Sequence, residues 1–316
     1  MSIVARAPGK LAVLGEYAVL DGAPALVIAV DRYCVASIER SLDSSCHLSI
    51  RGPGTSDTTV AAGTPTGIAL VDLVCDLERS DAHVEPWRAR LDTTAFFDAK
   101  LKLGLGSSAA ALCAWAGTWN AYRGGPAVLE VGALIELHRR FQGGAGSGLD
   151  VASAYSGGAI TFRLDREFVP HISSVQLPNS VAFAGIFVGS SASTPGLVAR
   201  YHAWAAERPD DAAAHRRSMT AIAETGCRAA EENSCDEFLA AVAEYGRCLG
   251  MLGQAMQVEI VTAAHSEIAA IAREFGVVYK VSGAGGGDLG IALSAHRDAL
   301  AAFEASIRNT GYRVID

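Results

Sequence analysis

Between Gly104 and Ser108 the chain sets two glycines and two serines in five residues, then runs into the alanine-rich stretch Ala109–Gly117. Few local patterns constrain a fold as much. Without a Cβ, glycine lets the backbone turn its N–H groups inward. A helix starting at Ser107 adds unpaired N–H groups of its own and the positive end of its dipole. Such a turn asks for an anion, and phosphate suits it. The apolar helix behind it supplies a rigid base. Ser107 and Ser108 can donate to phosphate or face Mg2+, and Lys102 stands just before the loop. The pattern G-L-G-S-S-A is neither a Walker A loop nor the Rossmann G-x-G-x-x-G. By itself the stretch is equally an ordinary helix start with Ser107 as its N-cap.

Three further segments share this character. "APGKLAVLGEYAVL" (Ala7–Leu20) puts Lys10 at the start of a strand, with Glu16 and Tyr17 past the next glycine. An ordinary turn with a surface lysine reads the same way. "FQGGAGSGLDVASAYSGG" (Phe141–Gly158) surrounds one acid, Asp150, with glycines and with Leu149 and Val151. An acid in such company is a helix cap or a functional group. "KVSGAGGGDLGIAL" (Lys280–Leu293) carries five glycines in the eight residues Gly283–Gly290. A hairpin turn of about two to five residues does not need so many. Close approach of the backbone to a ligand explains them better than a loose hairpin.

The bulk numbers narrow the class. The 316 residues have room for one large domain or two ordinary ones. With 50% apolar and 19% charged residues, a packed core is supplied and wholesale disorder is excluded. A net charge of −8 argues against a nucleic-acid binder working through its global field. Anionic small molecules stay open, because local cations and N–H groups bind phosphate on an acidic protein. The seven cysteines are odd in number and show no C-x-x-C spacing, so reduced, buried thiols are expected, not a disulfide frame or a zinc site. No secretory h-region or spanning apolar stretch is visible. The expectation is a cytoplasmic protein, monomer or homodimer, with a small-molecule substrate and neither nucleic acid nor membrane as partner.

Periodicity predicts strand, turn and strand over the first thirty residues and another strand over 32–40. Residues 41–66, rich in Ser, Thr, Gly and Pro, read as hairpin loops or an irregular excursion. Helices are expected over 66–80, 107–122 and 127–141, the last burying Leu129, Ala133, Leu137 and Phe141, and a strand over 157–165. Beyond about residue 165 come a strand at 180–189 and helices at 195–206, 211–230, 234–257 and 262–275. A hairpin (277–283 with 289–295), a helix (296–311) and a closing strand (312–316) follow. Segregated strands and helices give an α+β class. Domains are placed at 1–165 and 166–316, although no Pro/Ser linker marks that boundary.

Taken together, "APGKLAVLGEYAVL", "KLGLGSSAA" and "SGAGGGDLGIAL" resemble, in order, the three motifs of the GHMP kinase superfamily of small-molecule kinases. Within it the likeness is greatest to the phosphomevalonate kinases. It rests on "GEYAVL" after the first-motif lysine, on the glycine-flanked "FQGGAGSGLDVASAYSGG", on "SASTPGLV" (Ser191–Val198), and on Asp288 in the third motif. Leu289 departs from the cysteine that those enzymes mostly carry after that aspartate.

The resemblance implies a two-domain GHMP kinase fold, with an S5-like α/β N-terminal domain and a ferredoxin-like C-terminal domain. It implies ATP-dependent phosphoryl transfer with Mg2+ to 5-phosphomevalonate, giving 5-diphosphomevalonate. The alternatives are a kinase acting on a hydroxyl of mevalonate or a sugar, or a non-catalytic ligand-binding relative. It further implies that Lys10 stabilises the transferred phosphoryl group or the attacking phosphate, and that Asp150 orients Lys10, the substrate hydroxyl or the metal, or acts as base. Gly104, Leu105, Gly106, Ser107, Ser108 and Ala109 would hold the ATP phosphates, with Ser107 or Ser108 near Mg2+ and Lys102 against a phosphate or capping the nucleotide site. Ser147 and Gly148 would line the mevalonate moiety, and Ser193 and Thr194 would approach it. Gly285, Gly286 and Gly287 would lay backbone beside the substrate or the triphosphate, with Asp288 ordering the turn. Tyr17 joins the substrate set, and Glu16 would act at the substrate or support Lys10. Glu136 is a candidate Mg2+ ligand or a solvated helix acid. His138 reads as a helix-surface histidine, and Arg139 and Arg140 as anion contacts or ordinary surface arginines. Trp115, Trp119 and Tyr122 read as core or adenine-side packing.

Overall fold

Strand β1 (Ile3–Leu14) alternates half-buried and exposed over its first four residues and is buried throughout from Ala7. Strand β2 (Ala25–Arg40) is one continuous strand of sixteen residues where two were expected. A short 3-10 turn at Ala18–Asp21 lies between them. The computed structural model describes residues 1–77, 84–98, 100–125, 129–144, 146–190 and 194–315. They form two compact units, one of Met1–Lys10 with Ala29–Gly157 and one of Leu11–Ile28 with Gly158–Asp316.

In the first unit, β3 (Ser45–Arg51) and β4 (Ser56–Ala61) form an antiparallel ladder. Half of the span 41–66 is therefore strand. Cys46 and Leu48 are buried while Ser and Thr fill the other face, and a sheet wetted on one side hides its strands in polar composition. After α1 (Ala69–Leu77), β5 (Trp87–Asp92) pairs parallel with β3 and antiparallel with β2, with Val35 opposite Asp92. No strand was expected there, although Trp87, Ala89 and Leu91 are buried in strict alternation with Arg88 and Arg90. The short strands β6 (Phe97–Asp98) and β7 (Leu101–Lys102) lead into α2 (Ser107–Tyr122), α3 (Val131–Phe141) and α4 (Leu149–Ser156). Helix α2 is apolar nearly all round, as a helix enclosed by its neighbours should be. Trp115 and Trp119 stack at 5.8 Å and both meet Trp87, so these rings are core.

In the second unit, the start of β2 pairs with β8 (Ala159–Leu164), which pairs with β9 (Pro170–Val175), both antiparallel. A second, all-antiparallel sheet has the order β11-β12-β10-β13. Its strands are β10 (Ala182–Phe187), β11 (Val278–Ser282), β12 (Leu289–Ser294) and β13 (Arg313–Ile315). The helices are α5 (Thr194–Glu207), α6 (Pro209–Glu231), α7 (Cys235–Met256), α8 (Ala263–Glu274) and α9 (Arg297–Arg308). Ile186, Ala292, Ile268, Phe303 and Ile307 form a buried cluster from β10, β12, α8 and α9. The α+β class and every helix expected after residue 165 are present. Among the described residues no helix is long and apolar enough to cross a membrane.

Candidate active site

In the first unit, β1 carries Lys10 past the phosphate-loop candidate. The Lys10 N–H donates to the Leu105 carbonyl at 3.0 Å, tying strand to loop. The loop enters α2 through Gly106, left-handed at φ +78°. A Cβ on Gly106 would sit 3.5 Å from Lys10 Cγ and 3.7 Å from Asp150 Oδ2, so the turn, the lysine and the carboxylate converge on one spot. Lys10 is 8% exposed, and its Nζ lies 3.3 Å from Asp150 Oδ1. The first N–H bonded within α2 is that of Ala110, to the Gly106 carbonyl. The N–H groups of Ser107, Ser108 and Ala109 have no acceptor among the described residues, which leaves the start of α2 open to an anion.

Asp150 stands in the first turn of α4, a helix hidden from the periodicity by its glycine flanks. Helix α3 fixes its approach. The Arg139 guanidinium donates to the carbonyls of Gly146 and Ser147, both at 3.1 Å. The Ser147 hydroxyl accepts from the Leu149 N–H at 3.2 Å. Gly148 has φ +90°, and a Cβ on it would lie 2.5 Å from Ile135 Cγ2. Gly148→Ala is therefore expected to push the first turn of α4 away from Lys10. A drop in kcat of roughly ten-fold or more and about 1–3 kcal/mol of lost stability should follow. Steady-state kinetics and urea unfolding check this; adding Ile135→Ala, which removes the Cγ2 that the new Cβ would meet, should recover only the part of the kcat loss due to the clash.

The expected face of α3 is rotated. Ala133 and Phe141 are exposed, and the buried set is Leu134, Ile135, Leu137 and His138. His138 is thus not a surface histidine. It is 4% exposed, and its Nε2 lies 3.0 Å from Ser108 Oγ. Burial lowers its pKa, with the Asp150 carboxylate opposing and the Lys102 ammonium adding to that shift. Glu136, two residues away and so about 200° round the helix, is exposed with its carboxylate 4.0 Å from Arg139. It faces away from Ser108 and does not join a metal site there. Ser107 is buried, and Lys102 is exposed on β7.

Among the described residues no three His, Cys, Asp or Glu side chains form a metal cage. The hard oxygens at the loop are the Asp150 carboxylate and the Ser108 hydroxyl. That sparse set fits Mg2+, which keeps its waters and takes one or two protein oxygens together with substrate phosphates.

In the second unit, Glu16 is spent on a partner the motifs do not announce. Its Oε1 pairs with the Lys280 ammonium and accepts the Gly283 N–H at 3.3 Å, while Oε2 has no hydrogen-bond partner among the described residues. Tyr245 Oη donates to the Glu16 carbonyl at 2.8 Å, and the Lys280 ammonium lies 5.8 Å from the Tyr245 ring centre. Tyr17, at φ +62°, donates its hydroxyl to the Ala284 carbonyl at 2.6 Å. Burial raises the pKa of Tyr17, with the Glu16 charge adding to it. Glu16 and Tyr17 thus brace the loop Gly283–Asp288, which holds Gly285, Gly286 and Gly287. Asp288 orders that turn through its backbone, its N–H donating to the Ser190 carbonyl and its carbonyl accepting from Val188. Thr194 is the exposed first residue of α5, and Ser193 lies outside the described residues. Sequence reasoning missed Lys280, and undervalued His138 and Arg139.

No protein-family model matches the chain. It is 26% identical to a phosphomevalonate kinase of Streptomyces sp. strain CL190, over 92% of this chain and 90% of that protein. It is 28% identical to one of Saccharolobus solfataricus, with the same coverage. A mevalonate kinase of Thermococcus sibiricus is 27% identical over 93% of this chain and 90% of its own length. Among solved structures, the Lin0012 protein of Listeria innocua superposes with a TM-score of 0.89 at 24% identity, covering 100% of this chain and 97% of that one. Streptococcus pneumoniae phosphomevalonate kinase in complex with phosphomevalonate and AMPPNP superposes at 0.83 and 20% identity, covering 99% and 98%. End-to-end similarity of this kind shows the α+β fold of the GHMP kinases, and the chain, with the three motifs in their order, is similar along its length to small-molecule kinases of that superfamily.

Proposed function

We propose that this kinase transfers the γ-phosphoryl group of ATP to the phosphate of 5-phosphomevalonate, giving ADP and 5-diphosphomevalonate. The observation that carries the reading is the Lys10–Asp150 pair, 3.3 Å apart against the Gly106 turn. ATP supplies the phosphoryl group, and Mg2+ bound with it offsets part of the phosphate charge. The N–H groups of Ser107, Ser108 and Ala109 bind phosphate oxygens at the start of α2. Lys10, delivered by β1 and steered by Asp150, offsets the negative charge that gathers as two phosphates are brought together. An acceptor phosphate, with a second pKa of about 6, is largely ionised near neutral pH and attacks without a strong base. Asp150 then serves as orienter, and positioning with charge neutralisation dominates the rate enhancement.

Two relatives named phosphomevalonate kinase support this acceptor, as does a superposable structure holding phosphomevalonate. The similarity to a mevalonate kinase favours a second reading, in which the acceptor is a hydroxyl and Asp150 takes its proton. An ADP-release assay with 5-phosphomevalonate, mevalonate and galactose in parallel separates the two. Turnover confined to 5-phosphomevalonate is expected. Turnover of mevalonate or galactose alone rejects the phosphate acceptor.

A further inference from the structure

Helix α3 holds two glycine turns of the first unit, the one before α2 and the one before α4. Ile135 meets Gly148, and Arg139 grips the carbonyls of Gly146 and Ser147, so these two side chains set the approach to Asp150. His138 is three residues past Ile135 and so shares its face. Its ring is 4% exposed and lies 6.2 Å from that of Phe141, tilted by 25°. Its Nε2 reaches the other turn, at Ser108 Oγ, 3.0 Å away.

The other buried side chains of α3 are Leu134, Ile135 and Leu137. A fourth apolar residue would pack beside them without the cost of taking a polar ring out of water. What an apolar residue lacks is the nitrogen that faces Ser108. Of the two serines in the turn, Ser107 is buried and Ser108 is half-buried. Ser108 therefore has the imidazole on one side and keeps access to the mouth of the turn on the other.

A hydroxyl has one proton and two lone pairs. To meet a cation it must turn its lone pairs outward and send the proton elsewhere. Desolvation disfavours the charged form of the ring. A neutral imidazole has one bare nitrogen and one N–H. With Nε2 bare, the ring takes the Ser108 proton and leaves the Oγ lone pairs to the mouth of the turn, where the Asp150 carboxylate also stands. With Nε2 protonated, it would occupy a lone pair and turn the hydroxyl proton outward.

We propose that His138 is a positioning residue: its Nε2 accepts the Ser108 hydroxyl proton and so aims the Oγ lone pairs at the Mg2+ that accompanies the nucleotide. The inference rests on the reading of this turn as the nucleotide phosphate site, and it holds whichever acceptor is used.

The probe is the ATP analogue AMPPNP, its affinity measured by calorimetry in excess Mg2+ and again in EDTA. The ratio of the two affinities reads the metal contact without catalysis. His138→Leu is expected to lower that ratio roughly three- to ten-fold, the scale of one hydrogen bond. The affinity in EDTA should stay within about two-fold, because the N–H groups of Ser107, Ser108 and Ala109 are untouched. His138→Gln places an amide oxygen near the position of Nε2 and should bring the ratio back to within about two-fold of the parent. His138→Asn has the same chemistry but is too short to reach Ser108. It should behave like His138→Leu, and it carries the test if His138→Leu does not fold. Ser108→Ala should lower the ratio too, and adding His138→Leu to it should lower it no further.

A role confined to folding would weaken binding in Mg2+ and in EDTA alike. Equal losses in both, an unchanged ratio in His138→Leu, a His138→Gln variant no better than His138→Asn, or a further loss on the Ser108→Ala background would each overturn the proposal. If the parent protein does not bind AMPPNP, the nucleotide reading fails and takes the inference with it. If the parent binds it equally with and without Mg2+, the nucleotide reading stands and the role of His138 is lost alone.

Discussion

Lys10→Met should keep the fold and nucleotide binding and lose roughly 10²–10³ in kcat. The two halves of that expectation come from different properties of one ion pair. Catalytic loss follows from placement, since the ammonium stands at the turn where α2 offers its free N–H groups. Without it, charge building between donor and acceptor has only backbone dipoles and metal to meet it. Little stability should be lost, because the Asp150 side chain is 39% exposed and water can take over for the ammonium. A half-open pair of this kind is worth no more than about 1 kcal/mol. Lys10→Arg should not restore the rate, because a planar fork cannot occupy the place of a compact ammonium beside Gly106. Asp150→Asn should also lower kcat, by loosening Lys10. The readouts are single-turnover kinetics, nucleotide affinity and urea unfolding on the same preparations. If Lys10→Met and Asp150→Asn both kept wild-type ATP-dependent turnover, the site assignment would be lost, and a non-catalytic relative would become the better description.

What could be read from the sequence was what local chemistry writes locally. The glycine-serine turn before α2, the helices after residue 165 and the hairpin around the third glycine cluster each carry their signal within a dozen residues. Failures came where the signal was shared with a distant partner. Helix α3 was rotated because Phe141 and Ala133 look apolar, while its buried His138 looks polar until Ser108 is beside it. The spacing Leu134–His138, one turn of helix, was the available clue. Strands β3 and β4 were hidden by Ser and Thr on their wetted face, and α4 by the glycines that let its first turn approach Ile135. Glu16 was assigned to chemistry because its motif sits near Lys10 in sequence, but its carboxylate closes on Lys280, 264 residues away. No local pattern records such a pairing.

The largest stability effect should therefore come from Lys280, outside every residue expected to act. Its side chain is fully buried and that of Glu16 is 4% exposed, so neither charge can fall back on water. Lys280→Met keeps the length of the side chain and removes its charge, which leaves a carboxylate sealed in the second unit. Breaking a buried pair from one side costs about 3–5 kcal/mol. At roughly 2–4 °C per kcal/mol, the melting temperature should fall by roughly 6–20 °C. Removing the second charge tests the cause. Lys280→Met combined with Glu16→Gln should recover most of the loss, because no bare charge remains and glutamine still offers an oxygen to the Gly283 N–H. A double-mutant cycle in urea then reads the coupling directly. Were Lys280→Met to unfold within about 1 kcal/mol of the parent, or the double variant to be no better than the single, the pair would be a bystander and the bracing of the Gly283–Asp288 loop would rest on Tyr17.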